Sequence, residues 1–170
     1  MDLLPNIINL IGYSGSGKTF LVERLIKKFK DELNLNSCVI KNIHEHKIDT
    51  EGKDTSRYIN SGAKFSITKN VFDETAIITK SKLSVYKIIN WVEKGPFEVD
   101  IFFTEGFRDL HEPTILCIKD PLNIDKQMNN SVKMISGLFI KNSEYKMKKF
   151  SLPVLNIEEN WKLLLNFLMI

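Results

Sequence analysis

Apolar residues along this chain fall into short unbroken runs and into runs spaced three to four apart, the two periods of buried strands and amphipathic helices. Ile7–Ile11 is β-prone and ends at Gly12, which predicts a buried strand. From Lys18 to Lys30, Phe20, Leu21, Leu25, Ile26 and Phe29 recur at helical spacing. Ser37–Ile43 predicts a second strand, and Lys53–Asn60 a short helix stopped by Ser61-Gly62. Residues 64–69 and 75–80 read as two strands joined by a turn around Asn70 and Asp73. Leu83–Lys94 is a helix ended by Gly95-Pro96, with Leu83, Tyr86, Ile89 and Trp91 or Val92 on one side. Val99–Thr104 is a third long apolar strand, followed at once by Glu105-Gly106. Thr114–Lys119, Met134–Ile140 and Leu152–Asn156 are further short strands, and the polar stretch Asp120–Lys133 reads as a loop with little order. A closing helix, Ile157–Met169, carries Trp161, Leu164, Leu165 and Leu168 as its buried stripe.

Strands alternating with helices imply an α/β protein built on a mostly parallel sheet covered on both faces, with the 64–80 hairpin added to it. There is no repeat, low-complexity tract or linker, so residues 1–170 are expected to form a single domain. The formal charge of +3 is too small to argue for a nucleic acid or a membrane surface as partner. All the basic residues except Arg24, Arg57 and Arg108 are lysine, which singles out three planar forks suited to phosphate oxygens. Cys38 and Cys117 lie in apolar runs without metal-type spacing and read as reduced core thiols. Near the N-terminus Asp2 stands where a signal peptide needs a basic residue, and Pro5, Asn6 and Asn9 interrupt the apolar run. No stretch approaches the length of a transmembrane helix. The expectation is a soluble, cytoplasmic protein.

Between the first strand and the first helix, Gly12-Tyr13-Ser14-Gly15-Ser16-Gly17-Lys18-Thr19 satisfies the Gly-x4-Gly-Lys-[Ser/Thr] pattern of a phosphate-binding loop, in the context that pattern requires. Gly12, Gly15 and Gly17 let the backbone curl so that successive N–H groups, including those of Ser14 and Ser16, point at phosphate oxygens. The helix that starts there aims its positive dipole end at the same anion, and Phe20 is the next residue beside it. Lys18 is placed to reach the β- and γ-phosphates, and the Thr19 hydroxyl to ligate Mg²⁺.

Ligands of open parallel sheets bind at the carboxyl ends of the strands. Glu105 follows the third strand at that edge and is a candidate to hold Mg²⁺ or orient an attacking water. Asp100 begins the same strand, at the opposite edge, and is discounted. The second strand runs into His44-Glu45-His46, which is open to zinc chelation with Asp49 or to simple solvation. Asp49-Thr50-Glu51-Gly52-Lys53-Asp54-Thr55-Ser56-Arg57 is dense in hydroxyls and charge. It reads either as an anion-contacting segment, through Lys53, Asp54, Thr55 and Arg57, or as a solvated loop before a capped helix.

Taken together, Ile11–Leu21, Val39–His44, Asp49–Arg57 with Ser61-Gly62-Ala63, and Asp100–Arg108 resemble the molybdopterin-guanine dinucleotide biosynthesis protein B family. The Gly-Lys-Asp-[Ser/Thr]-x-Arg segment, here Gly52–Arg57, separates that family from phosphate-loop proteins generally. The resemblance implies a three-layer P-loop NTPase fold. It also implies a GTP-binding, weakly GTP-hydrolysing accessory protein that works with Mg²⁺ beside the molybdopterin guanylyltransferase, protein A of the same pathway, and that pairs as a homodimer. Gly12, Gly15, Gly17, Lys18 and Thr19 carry over as phosphate and Mg²⁺ ligands, Glu105 as the strand-end acid, and Lys53, Asp54, Thr55 and Arg57 as a second anion-contacting segment. The sequence departs from the family pattern in keeping only His44 of a histidine cluster and in having Arg108 where a lysine is usual. It has no Asn-Lys-x-Asp guanine motif. A small-molecule kinase and a non-catalytic nucleotide switch are the alternative readings. The scarcity of arginine for a phosphate-covering lid weighs against the kinase.

Overall fold

The computed structural model describes residues 6–141 and 150–168. The strands are β1 (Asn6–Ile11), β2 (Ser37–Lys41), β3 (Ser66–Lys69), β4 (Thr75–Ile78), β5 (Ile101–Glu105), β6 (Thr114–Cys117) and β7 (Val132–Ser136). The helices are α1 (Lys18–Leu33), α2 (Asp54–Asn60), α3 (Val85–Glu93), α4 (Ile124–Gln127) and α5 (Lys162–Leu168). Two single 3₁₀ turns, Pro121–Asn123 and Leu138–Lys141, complete the described elements. The chain packs as two compact units, one built from residues up to Asn42 and from Val92 onward, the other from Ile43–Trp91.

The larger unit is a five-stranded sheet in the order β2-β5-β1-β6-β7, every pair parallel. Each strand therefore ends at the same edge, as an all-parallel sheet demands. Its inner strands β5, β1 and β6 are buried on both faces, which is why they read as near-continuous apolar runs, whereas the edge strand β2 leaves Val39 and Lys41 exposed. On one face Ile8 and Leu10 of β1, Ile101 and Phe103 of β5, and Cys117 of β6 pack against Leu21, Val22, Leu25 and Phe29 of α1 and against Trp161 and Leu164 at the chain's end. Phe29 has no exposed surface and meets Phe103 and Trp161 edge-on, with ring centres 5.8 and 6.1 Å away. Burial of that one ring contributes about 2–3 kcal/mol. A second cluster, Ile11, Leu116, Ile118, Val132, Ile135 and Phe139, packs with Ile124, Met128, Phe150 and Val154.

Several boundaries differ from the sequence expectation, each for a local reason. Helix α1 runs three residues past Lys30, because Leu33 still packs on the core, and it stops where Asn34 adopts a left-handed conformation at φ 55°. Its buried stripe takes in Val22, whereas Phe20 is 44% exposed. The polar Asp120–Lys133 stretch is ordered: Asp120 accepts a hydrogen bond from the Leu122 amide, starting a 3₁₀ turn that leads into α4. The expected strand at Met134–Ile140 begins earlier, at Val132, and breaks at Gly137, which has φ 114°. Leu152–Asn156 shrinks to one parallel bridge, Val154 to Ile135. Residues 157–161 form turns, so the closing helix starts only at Lys162. Its expected last residue, Met169, lies outside the described residues.

The smaller unit carries α2, the hairpin β3–β4 and most of α3. The hairpin is antiparallel and forms its own two-stranded sheet, Ser66 opposite Ile78 and Lys69 opposite Thr75. Asn70 shapes its turn by accepting from the Phe72 and Glu74 amides, and Asp73 supplies the left-handed residue at φ 62°. Burial within this unit is thin. Ile59, Val85 and Ile89 are buried, while Ile48, Phe65, Ile67, Val71, Phe72 and Trp91 are each more than half exposed.

Candidate functional site

At the carboxyl edge of the larger sheet, β1 gives way to the glycine-rich loop and the loop to α1. Gly12 must be glycine, because a Cβ there would stand 2.1 Å from the carbonyl oxygen of Cys117 at the end of β6. The loop closes on itself where the Ser16 amide donates to the Tyr13 carbonyl at 3.3 Å. Helix α1 then begins at Lys18 with no side-chain cap and no acidic residue in its first turn, so its positive end is left for an external anion. The Lys18 ammonium folds back over the loop and donates to the carbonyls of Gly12 and Tyr13, both at 2.9 Å. Of its three donors, one remains for phosphate.

Glu105, the last residue of β5, is 5% exposed. The Thr19 hydroxyl donates toward both of its carboxylate oxygens at 3.3 Å, and the Lys41 ammonium at the end of β2 lies 3.3 Å from one of them. A carboxylate this buried needs such a cation. The hydroxyl and carboxylate oxygens also suit Mg²⁺, which takes hard oxygen donors in an octahedron. Their separation is close to the roughly 3 Å between two adjacent oxygen ligands of an ion that size. Asp100, at the other end of β5, accepts from the Asn36 amide at 2.7 Å and ties down the start of β2, far from the loop, as its position in the strand implied.

Of the residues singled out in the sequence, Gly12, Ser14, Gly15, Ser16, Gly17, Lys18, Thr19 and Glu105 therefore come together. Ser16 is 2% exposed, and its hydroxyl has no hydrogen-bond partner among the described residues. Phe20 stays at the surface beside Arg24 and Lys141, whose cationic groups lie 5.3 and 5.7 Å from its ring centre. Lys53, Asp54, Thr55 and Arg57 belong to the smaller unit. There Thr55 donates to Asp49 at 2.8 Å, Arg57 pairs with Asp54 at 3.4 Å, and Lys53, Asp54 and Arg57 are exposed. His44 and His46 are exposed in the same unit.

Four residues that support the site were not singled out as site residues in the sequence, although Lys41 lies in the Val39–His44 segment. Lys41 is the partner of Glu105. Asn9, wholly buried in β1, donates to the Phe107 carbonyl at 2.9 Å and to Thr114 at 3.1 Å while accepting from Thr104 at 2.9 Å, which fixes the turn after Glu105. Gln127 accepts from the Tyr13 amide at 2.9 Å. Gly137 lies behind the loop, where the next amide, Leu138, donates to the Ser16 carbonyl at 3.1 Å. The one signal in the sequence was a polar residue inside a buried strand, and that applies only to Asn9. Burial pushes the Cys117 thiol up to about 12, a rise opposed by Lys18 and reinforced by Glu105, so this cysteine is a protonated core thiol at neutral pH.

The sequence model of the family described as molybdopterin guanine dinucleotide synthesis protein B matches residues 7–138, which hold the whole loop and Glu105. The chain belongs to this family. A Haemophilus influenzae relative described as a molybdopterin-guanine dinucleotide biosynthesis adapter protein is 34% identical over 112 residues, 65% of this chain and 61% of that one. A Bacillus subtilis relative, described as a probable adapter protein of the same biosynthesis, is 27% identical over 161 residues, 90% of this chain and 86% of its own length. A third, from Methanocaldococcus jannaschii, is 29% identical over 67% of this chain, which spans only 47% of that relative's length. The crystal structure of Bacillus subtilis MobB superposes with a TM-score of 0.71 at 21% identity, covering 95% of this chain and 96% of that one. The MobB homolog from Bacillus stearothermophilus gives 0.66 at 15% identity, covering 96% and 98%. The α/β fold built on a parallel sheet is thus the fold of MobB structures.

Proposed function

We propose that this protein is a nucleotide-binding adapter in molybdopterin-guanine dinucleotide biosynthesis, which binds GTP with Mg²⁺ and hydrolyses it slowly in support of the guanylyltransferase. The observation that carries the reading is the convergence of Lys18, Thr19 and Glu105 at the start of α1. A loop that only turned the chain would have no reason to bring a buried carboxylate to the threonine that follows its lysine. Thr19 and Glu105 would hold the Mg²⁺, and the chemistry it would supply there is neutralisation of phosphate charge. Lys18 and the free amides of α1 offset the remaining phosphate charge. Glu105 is also the side chain best placed to orient an attacking water. The segment Lys53–Arg57 is assigned to anion contact by the family likeness alone.

The test is calorimetric titration of the wild-type protein with GTPγS and with ATPγS, each with and without Mg²⁺. GTPγS is expected to bind at least roughly tenfold more tightly than ATPγS, a difference of about 1.4 kcal/mol. Glu105→Gln is expected to retain binding but lose most of its dependence on Mg²⁺. Equal or tighter binding of ATPγS would remove the guanine assignment and bring the kinase reading forward.

The homodimer implied by the likeness has a physical counterpart in the smaller unit. An isolated two-stranded hairpin is marginal in water, and this one leaves Phe72 80% exposed and Val71 89% exposed. Light scattering is expected to give the mass of two chains at micromolar concentration. A monomer mass throughout would refute it.

A further inference from the structure

Of the three arginines, two are paired: Arg24 with Glu158 at 3.6 Å and Arg57 with Asp54 at 3.4 Å. Among the described residues no carboxylate pairs with Arg108. It leaves the turn directly after Glu105-Gly106, and its guanidinium lies 5.6 Å from the centre of the Tyr13 ring on the phosphate loop. Its other contacts are stretched, Nη1 to the Gln127 carbonyl at 3.5 Å and Nη2 to Gln127 Oε1 at 3.4 Å. A guanidinium has five N–H donors, so two long bonds leave most of its capacity unused.

The surroundings of Arg108 are more firmly built than its own contacts. Gln127 is 3% exposed. Its Oε1 accepts from the Tyr13 amide at 2.9 Å, its Nε2 donates to the Asn123 carbonyl at 3.2 Å, and Asn129 donates to the Arg108 carbonyl at 3.1 Å. A buried amide satisfied on both ends holds one arrangement and resists others. Lys18 is also bound to Tyr13, through that residue's carbonyl at 2.9 Å. An ammonium and a guanidinium thus converge on one loop residue, on a strand edge where the ligand is an anion.

We propose that Arg108 is a second phosphate-binding cation of this site, engaging the terminal phosphate of a nucleoside triphosphate, and that Gln127 is the positioning residue that keeps Arg108 and Tyr13 in register. The proposal rests on the nucleotide reading above. An arginine in this role stabilises the triphosphate selectively, because a diphosphate has nothing at the position it reaches. Replacement by lysine keeps the charge but loses the planar fork.

The experiment measures GTPγS and GDP affinities with Mg²⁺ for the wild-type protein, Arg108→Ala, Arg108→Lys, Gln127→Leu and the double variant of Arg108→Ala with Gln127→Leu, with a thermal melt of each. Arg108→Ala is expected to weaken GTPγS by roughly tenfold to a hundredfold and GDP by less than about threefold. Its melting temperature should stay within about 2 °C of wild type, since the side chain is exposed. Arg108→Lys should fall between, and Gln127→Leu should add little to the loss once Arg108 is already alanine. If the wild type binds GTPγS but the triphosphate-to-diphosphate ratio is unchanged in Arg108→Ala, the role of Arg108 is overturned and the nucleotide reading stands. If the wild type binds neither nucleotide, both fall together.

Discussion

Lys18→Ala is expected to lower GTPγS affinity by at least about a hundredfold while moving the melting temperature by no more than about 3 °C. The ammonium is the one group of the loop with a full positive charge, and the charge-assisted hydrogen bond its remaining donor can make to a phosphate oxygen contributes about 1.5–3 kcal/mol, to which its attraction for the other phosphate oxygens adds. Its two protein partners are the loop carbonyls of Gly12 and Tyr13, and Lys18 itself is only half-buried. Alanine at the first turn of α1 is a better helix former than lysine, which offsets part of what the loop loses. The folded state therefore changes little and the bound state a great deal. Calorimetry and a melt on the same preparation separate the two effects. Undiminished nucleotide affinity would sink the assignment of the loop as the phosphate site.

The second large effect concerns stability. Gly137→Ala is expected to destabilise the larger unit by about 3 kcal/mol or more, lowering the melting temperature by roughly 6–12 °C. A Cβ at this position would lie 2.4 Å from the Ile118 carbonyl oxygen, 2.6 Å from the Ile118 nitrogen and 2.7 Å from the Ser16 carbonyl oxygen, all backbone atoms with no flexible end to give way. The residue also has φ 114°, where side chains other than hydrogen are strained. Because one of the three crowded atoms belongs to the phosphate loop, whatever nucleotide affinity remains should fall as well. A melt within about 2 °C of wild type, on the same scale of stability change per degree, would show that this close approach relaxes cheaply.

The two substitutions mark the two kinds of legibility in this chain. Lys18 is readable from the order of residues because the phosphate loop is local: eight consecutive residues, preceded by an apolar run and followed by helical spacing. The order of β1, α1, β2, α3 and β5 is readable for the same reason, as is the place of Glu105, since the carboxyl end of a parallel strand is a fixed side of the sheet. Gly137 is not readable in this way. Its role is to pass behind a loop that lies far earlier in the chain, and by its sequence neighbourhood, Ser136-Gly137-Leu138, it reads as the middle of a strand over Met134–Ile140.

Gln127 shows the same limit more sharply. It stands in a polar stretch that has no apolar period, so a loop is the natural expectation. Yet it is buried and joined to Tyr13 across 114 positions of sequence. Lys41 lies in the Val39–His44 segment that carries part of the family resemblance, but only the parallel pairing of β2 with β5, Lys41 opposite Glu105, makes it the counter-charge of a buried acid. Phe20 goes the other way, counted in the helical stripe by spacing but turned to solvent by the direction in which α1 leaves the loop.

By itself, then, the sequence determined the fold class, the position of the glycine-rich loop between β1 and α1 and the acid that faces it, because strand period, helix period and the glycine-lysine motif are all written within a few consecutive residues. Tertiary structure alone decided which residues hold that loop in shape. Those contacts are made between segments that meet only when the parallel sheet has set β6 and then β7 on one side of β1, and β5 and then β2 on the other, and nothing local records the meeting.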